Sequence, residues 1–152
     1  MVKNVFKKLG KKQKNNKGFS LVELIVVIAI MAVLVGVLAP QLMKYVEKSR
    51  EATDIQNCDS IASALKAYYA DKEDLTAAVT INVTKDGVAE TADPAVKDAG
   101  MDKTKLKGKN WTKITITYTP SQGSVTYAIA GGDDAYYKVD DSDNAKFIKK
   151  EK

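Results

Sequence analysis

A chain of 152 residues, 45% hydrophobic and 28% charged, has room for one compact domain and an accessory segment, which excludes two full cores. It has no histidine, which removes the usual general base and zinc ligand, and a single cysteine, Cys58, which excludes an intramolecular disulfide. The net charge of +5 is uneven: residues 1–17 hold seven lysines and no acid, so the remainder of the chain is weakly acidic.

The basic, aperiodic leader runs into KGFSLVELIVVIAIMAVLVGVLAP, Lys17 to Pro40. Between Phe19 and Ala39 only Ser20 and Glu23 are polar. As a helix this run is about 31 Å long, enough to cross a bilayer core. A secretory signal would have a shorter apolar region, of about 7–15 residues, and its exit at VLAP would put Pro40 just past the cut. A plain transmembrane anchor, with the lysines holding the leader in the cytoplasm, accounts for everything except Glu23. A carboxylate at mid-helix depth costs about 2.5–3.5 kcal/mol, somewhat less near an end, and the segment offers it no cation. A cut between Gly18 and Phe19 would create an α-amino group four residues before Glu23 that can neutralise it, in the same chain or in a neighbour.

The helical pattern continues past Pro40 to about Tyr69. Pro40 cannot donate to the carbonyl four residues back, and Gly36 weakens the preceding turn by up to about 1 kcal/mol, so the two mark a soft point. Beyond it the apolar positions thin to a stripe, Leu42, Val46, Cys58, Ile61, Ala62, Leu65, Tyr68 and Tyr69, with EKSREATD expected to face water. DKEDL at Asp71–Leu75 breaks the periodicity. VTINVTKDGVAET suggests a hairpin at Asp86-Gly87, and DPAVKDAG a short helix capped by Asp93 with Pro94 in its first turn. Thr112–Thr119 and Ser124–Ala130 alternate as two strands around the turn PSQG, and AYYKV and AKFIKK read as two short strands. The expected fold is α+β: a long helix packed on an antiparallel sheet of three or four strands. Its divisions are a leader, 1–18; a transmembrane helix, 19–40; an amphipathic helix, 41–70; and a connecting loop with the sheet, 71–152.

KGFSLVELIVVIAI resembles the class III signal of type IV pilins and pseudopilins: a basic leader ending in Gly18, an aromatic Phe19, then Glu23 at the fifth position after the cut. The resemblance covers about the first third of the chain. It implies that a prepilin peptidase cuts after Gly18 and N-methylates Phe19, and that the helix assembles into a homopolymeric filament core. There Glu23 would meet the terminal amine of another subunit. Gly36 and Pro40 stand where the family commonly has helix-weakening residues. The resemblance further implies a single-pass precursor in the cytoplasmic membrane, with lipid around its helix, then an extracellular filament built by a membrane platform and ATPase-driven machinery. Adhesion, surface motility or aggregation would follow. A pseudopilin or minor pilin of a type II secretion or DNA-uptake apparatus shares the same leader and helix. With no cysteine pair to close a C-terminal loop, the resemblance leans to Gram-positive, clostridial pilins.

Two further stretches invite a ligand. KTKLKGKNW interleaves Lys103, Lys105, Lys107 and Lys109 with Trp111, a pattern suited to DNA or another anionic polymer, although such runs are more often solvated loops. Asp140, Asp141 and Asp143 in the acidic C-terminal loop are a weak calcium candidate, since they lack EF-hand spacing and suit turns. SALK, Ser63 to Lys66, has a Ser-x-x-Lys form without partner motifs. No nucleophile, base and orienting group can be assembled, so neither catalysis nor a cofactor is expected.

Overall fold

The computed structural model describes residues 18–72, 76–89 and 93–151, so the leader's residues 1–17 and most of the DKEDL break lie outside it. Its elements in chain order are α1 (Leu21–Tyr69), β1 (Val79–Thr84), α2 (Pro94–Asp98), β2 (Trp111–Thr119), β3 (Ser124–Gly131), β4 (Tyr137–Val139) and β5 (Phe147–Lys149). The chain divides into two units between Leu42 and Met43.

In the first unit α1 is apolar all round, and its large side chains from Leu21 to Leu42 are exposed. The helix runs uninterrupted through Gly36 and Pro40. Among the described residues this is the one helix long and apolar enough to cross a membrane.

In the second unit Cys58, Ile61, Ala62, Leu65 and Tyr69 recur at helical spacing on one side of α1, and all are buried. Fully covering Ile61 or Leu65 contributes about 1.5–3 kcal/mol each. Their counterparts come from a three-stranded antiparallel sheet in the order β1-β2-β3. Ile81, Ile116 and Tyr127 form one rung of the sheet, and Val83, Ile114 and Ile129 the next. Along β2 buried Ile114, Ile116 and Tyr118 alternate with half-exposed Thr115, Thr117 and Thr119, the period of a strand covered on one face. A bulge between Trp111 and Lys113 shifts that phase, which lets Trp111 also point inward.

The expected hairpin at Asp86-Gly87 is a tight turn in which Thr84 N–H donates to Gly87 O at 2.8 Å and Gly87 has a φ of 141°. Among the described residues its second arm makes one bridge, Val83 to Val88, and a bond from Ala89 N–H to Asn82 O at 2.9 Å, on the edge of β1 away from β2. The helix α2 forms as expected: Asp93 Oδ1 accepts from the N–H groups of Ala95 and Val96, and Pro94 opens the first turn. The two C-terminal strands pair with each other rather than extending the main sheet. Gly131 and Gly132 both have positive φ, 75° and 96°, and turn the chain out of β3. The open edge of β3 is then taken by a loop, with Tyr127 N–H donating to Asn144 O at 2.7 Å.

The amphipathic stripe differs from its expectation at its N-terminal end. Leu42 and Val46 are exposed, 63% and 42%, whereas Glu51 and Asp54, inside the EKSREATD stretch expected to face water, are both 0% exposed. Their burial is possible because each carboxylate is filled with hydrogen-bond donors from the loop that lies over it.

Candidate processing and assembly site

Gly18, Phe19 and Ser20 are exposed and outside any regular element; α1 starts at Leu21. Ser20 caps it. Ser20 Oγ accepts the Glu23 N–H at 3.2 Å, and Glu23 Oε2 accepts the Ser20 N–H at 3.0 Å. This reciprocal capping box satisfies two backbone donors that a helix start leaves open, and the helix dipole favours the carboxylate there. Sequence reasoning offered Glu23 only the amine that a cut would create, in the same chain or in a neighbour, yet the Ser-x-x-Glu spacing was the signal of this further partner. The box stops the helix two residues beyond the Gly18–Phe19 bond. It also aims the Glu23 carboxylate at the peptide nitrogen that follows Phe19, so a free amine on Phe19 would arise one residue from the atom Glu23 already contacts.

From Phe19 to Val46 the chain exposes nineteen large apolar side chains, with Phe19 itself 89% exposed. That is far more contiguous apolar surface than a soluble monomer leaves open, and it requires lipid or other chains to cover it. Gly36 and Pro40 lie within this stretch. A Cβ added at Gly36 would meet nothing within 4 Å inside the chain.

The lysine-rich stretch is held from below. Glu47, Glu51 and Asp54 follow one another on α1 at spacings of four and three, the same face of a helix. Asp54 accepts from Lys107 N–H at 2.8 Å, Gly108 N–H at 2.6 Å and the Trp111 indole Nε1 at 2.9 Å. Glu51 accepts from Asn110 Nδ2 at 2.8 Å and from Tyr136 N–H at 2.7 Å, and Glu47 accepts the Lys109 N–H. Successive N–H groups turned towards one carboxylate make a small anion nest, here filled by the protein's own side chain. At Gly108 an added Cβ would lie 2.6 Å from Trp111 Nε1 and 2.9 Å from Asp54 Oδ2, so only glycine fits.

This corrects the sequence reading of Trp111. It is 0% exposed, with its N–H spent on Asp54, and cannot stack on a base. Lys103, Lys105, Lys107 and Lys109 all remain on the surface, separated from one another by the buried Leu106 and Gly108 and the half-buried Thr104.

The acidic C-terminal residues are turn residues. Asp140 Oδ1 accepts from both the N–H and the Oγ of Ser142, which holds its carboxyl below the usual carboxylate range. Asp141 pairs with Lys138 at 2.7 Å, and Asp143 pairs with Lys146 at 3.3 Å and accepts from Ala145 N–H. No group of three potential metal ligands converges among the described residues.

Cys58 is fully buried, and desolvation with help from Asp54 and Asp59 pushes its thiol up to about 12. It packs as a small apolar side chain and is not a nucleophile at neutral pH. Burial and a 2.8 Å bond to Asp93 raise the Tyr69 hydroxyl to about 12. Burial and a 2.7 Å bond to Asp59 raise that of Tyr127 as well. Ser63 Oγ donates to Asp59 O, so the SALK sequence is ordinary helix.

Comparison with known proteins gives one family match, and it falls on this end of the chain. Residues 13–39 match the family described as the prokaryotic N-terminal methylation motif. The chain is 34% identical over 77 residues to the prepilin peptidase-dependent protein A of Clostridium perfringens, covering 49% of this chain and 55% of that protein. It is 29% identical over 58 residues to the type IV major pilin protein PilA of Myxococcus xanthus, covering 38% of this chain and 26% of PilA. Over 140 residues it is 29% identical to the fimbrial protein EcpC of Eikenella corrodens, covering 85% and 92% of the two chains. The chain thus spans about half of the first of these relatives and about a quarter of the second. No solved structure matches it.

Proposed function

We propose that this chain, type IV pilin-like by its N-terminal methylation motif, its relatives and its α+β fold, is the structural subunit of a surface filament. A prepilin peptidase removes residues 1–18 and N-methylates Phe19. The precursor waits in the cytoplasmic membrane with residues 19–40 in lipid and its leader in the cytoplasm, and is then drawn by an ATPase-driven membrane assembly machine into a homopolymer. Residues 41–70 serve as the amphipathic helix of the outer domain, and residues 71–152 as its loop and sheet. Gly36 and Pro40 are the place where the helix can yield during that transfer.

The observation that carries this reading is the arrangement at the helix start. The apolar part of α1, exposed from Leu21 to Leu42, opens three residues past Gly18 with Glu23 facing the backbone beside Phe19. Lipid satisfies the apolar side chains but not the carboxylate. A second subunit satisfies both. A carboxylate and an amine about 4 Å apart attract by about 4 kcal/mol at an effective dielectric of 20, and only one axial step brings them together. The pair therefore sets register, while apolar burial supplies most of the association.

The test is to shear cells and measure the chain in the filament fraction for the wild type and for Glu23→Ala. Filaments from the wild type, and an inserted but unassembled Glu23→Ala chain, are expected. Filaments of wild-type abundance from the variant would contradict the role given to Glu23. Copy number in the same fraction separates a major subunit, which is abundant, from a minor or pseudopilin component, which is not.

A further inference from the structure

The surface of the Lys103–Asn110 loop has a property that the filament function does not use. Its inner side is fixed: Lys107, Gly108 and Lys109 give their N–H groups to Asp54 and Glu47, Leu106 is buried, and Leu106 N–H is held by Thr84 O at 3.0 Å. Its outer side carries Lys103, Lys105, Lys107 and Lys109, all exposed. Lys85 joins them, its Nζ donating to Lys109 O at 3.2 Å. Among the described residues none of these five ammonium groups forms a salt bridge, although three other surface pairs do.

The acids of the neighbourhood are accounted for. Asp54 and Glu51 are buried with their oxygens engaged, Asp54 by Lys107, Gly108 and Trp111 and Glu51 by Asn110 and Tyr136, and Glu47, with 14% of its side chain exposed, is bound to Lys109 N–H. Asp86 and Asp102 lie beside the lysines in sequence and leave them in excess. Exposed ammonium groups without a salt bridge, on a loop pinned to the fold from Leu106 to Lys109, are suited to a linear chain of phosphates, because less ordering remains to be done on binding. Trp111 is buried beneath the row, so no aromatic platform accompanies the charge.

We propose that Lys103, Lys105, Lys107 and Lys109, with Lys85, form a binding surface for the phosphate backbone of duplex DNA. Contact is to phosphate alone. Binding is therefore independent of base sequence, has no preference for single strands, and falls steeply with salt. The surface belongs to each subunit and does not depend on polymerisation, though a filament would repeat it and raise avidity.

The experiment is fluorescence anisotropy of a labelled duplex of about 30 bp, titrated over a salt series with the full chain in a neutral detergent. The leader's lysines contribute equally to every variant, so the readout is the difference between variants. Lys103→Gln/Lys105→Gln removes the two lysines whose backbone does not touch Asp54 or Glu47, which spares the fold. It is expected to weaken binding at 0.1 M salt at least tenfold and to reduce the slope of log K against log salt by about 2. Substituting all four by Gln is expected to reduce the slope by about 3 to 4. Lys66→Gln, an exposed lysine outside the row, should change neither quantity. Unaltered affinity and slope in the double variant would overturn the proposal, as would an equal loss in Lys66→Gln or a strong preference for the single strand.

Discussion

Trp111 donates its indole N–H to Asp54 Oδ2 across 2.9 Å, and both side chains are 0% exposed. The pair joins α1 to the first residue of β2, 57 positions away in sequence. Around it the remaining oxygen capacity of Asp54 is taken by the N–H groups of Lys107 and Gly108, so one carboxylate fixes the end of the loop, the start of the sheet and the helix together.

Removing that carboxylate leaves three donors with no acceptor, two of them buried and the Lys107 N–H part-buried. Asp54→Ala is expected to destabilise the folded unit by about 3–5 kcal/mol, because orphaned buried donors cost more than an average hydrogen bond contributes. Trp111→Phe, which keeps the ring and loses one donor, should cost about 1–3 kcal/mol. Thermal or urea unfolding of the two variants measures both. Near-equal losses would contradict the idea that one acceptor serves several donors.

Gly108→Ala tests the same clasp by volume rather than by charge. Its Cβ would fall 2.6 Å from Trp111 Nε1, closer than any normal contact, and must displace either the indole or Asp54. An expected loss of about 1–3 kcal/mol follows, with no change in the charge of the chain. Wild-type stability in this variant would show that the loop does not sit so tightly on α1.

How far these features could be read in advance depends on what holds each one. Ile114, Ile116 and Tyr118 announce β2 by alternation, and Cys58, Ile61 and Leu65 announce the inner face of α1 by helical spacing, since both patterns arise from local geometry. Asp93-Pro94 announces α2 for the same reason. Glu51 and Asp54 looked like solvated charges because what buries them is a loop more than fifty residues later, and no local pattern encodes that meeting. Glu47, Glu51 and Asp54 sharing one helix face was the available hint. Trp111 was misjudged with them, since its neighbours in sequence are exposed lysines while its neighbours in space are core. At the candidate site Gly18, Phe19 and Glu23 stand out from sequence alone, but the Ser20 cap was overlooked because Ser-x-x-Glu was weighed only as a membrane charge.

Stability should fall at alkaline pH. Burial holds the Cys58 thiol at about 12 against an ordinary 9.0, and Tyr69 at about 12 against 10.0. Between those values the unfolded chain has released its protons while the folded chain retains them, so the unfolded state gains as pH rises. The contribution of each group is complete below its unfolded value and is lost towards pH 12. Unfolding free energy measured from pH 8 to 11 is expected to decline, and Cys58→Ala, whatever it costs at pH 8, should show a shallower decline. Native Cys58 should also resist alkylation at pH 8 until denaturant is added. An identical pH slope in the variant, or rapid native labelling, would contradict the burial of this thiol.

Calcium is expected to leave the C-terminal loop unaffected. Asp140 is tied to Ser142, Asp141 to Lys138 and Asp143 to Lys146 and Ala145, so an ion would have to break these turn bonds before gaining ligands. Melting temperatures in millimolar calcium and in chelator should agree within about 1 °C, where even 1 kcal/mol of binding would move the midpoint by several degrees. A clear calcium-dependent rise would restore the metal reading of this loop.

Glu23→Gln divides the two roles of the residue at the helix start. The amide oxygen can still accept from Ser20 N–H, so the capping box survives, while the negative charge that pairs with an amine does not. If charge pairing governs register, this variant should assemble as poorly as Glu23→Ala. If helix capping were the whole of its role, it would assemble normally, and counting filaments by electron microscopy separates the two.

The most direct measurement is the intact mass and N-terminal sequence of the chain recovered from sheared surface material. The expected result is a protein that begins at N-methylated Phe19, which creates the amine that Glu23 awaits. A chain that begins at Met1 would leave Glu23 without that partner, and one cut near Pro40 would lack Glu23 altogether; either would contradict filament assembly through this helix.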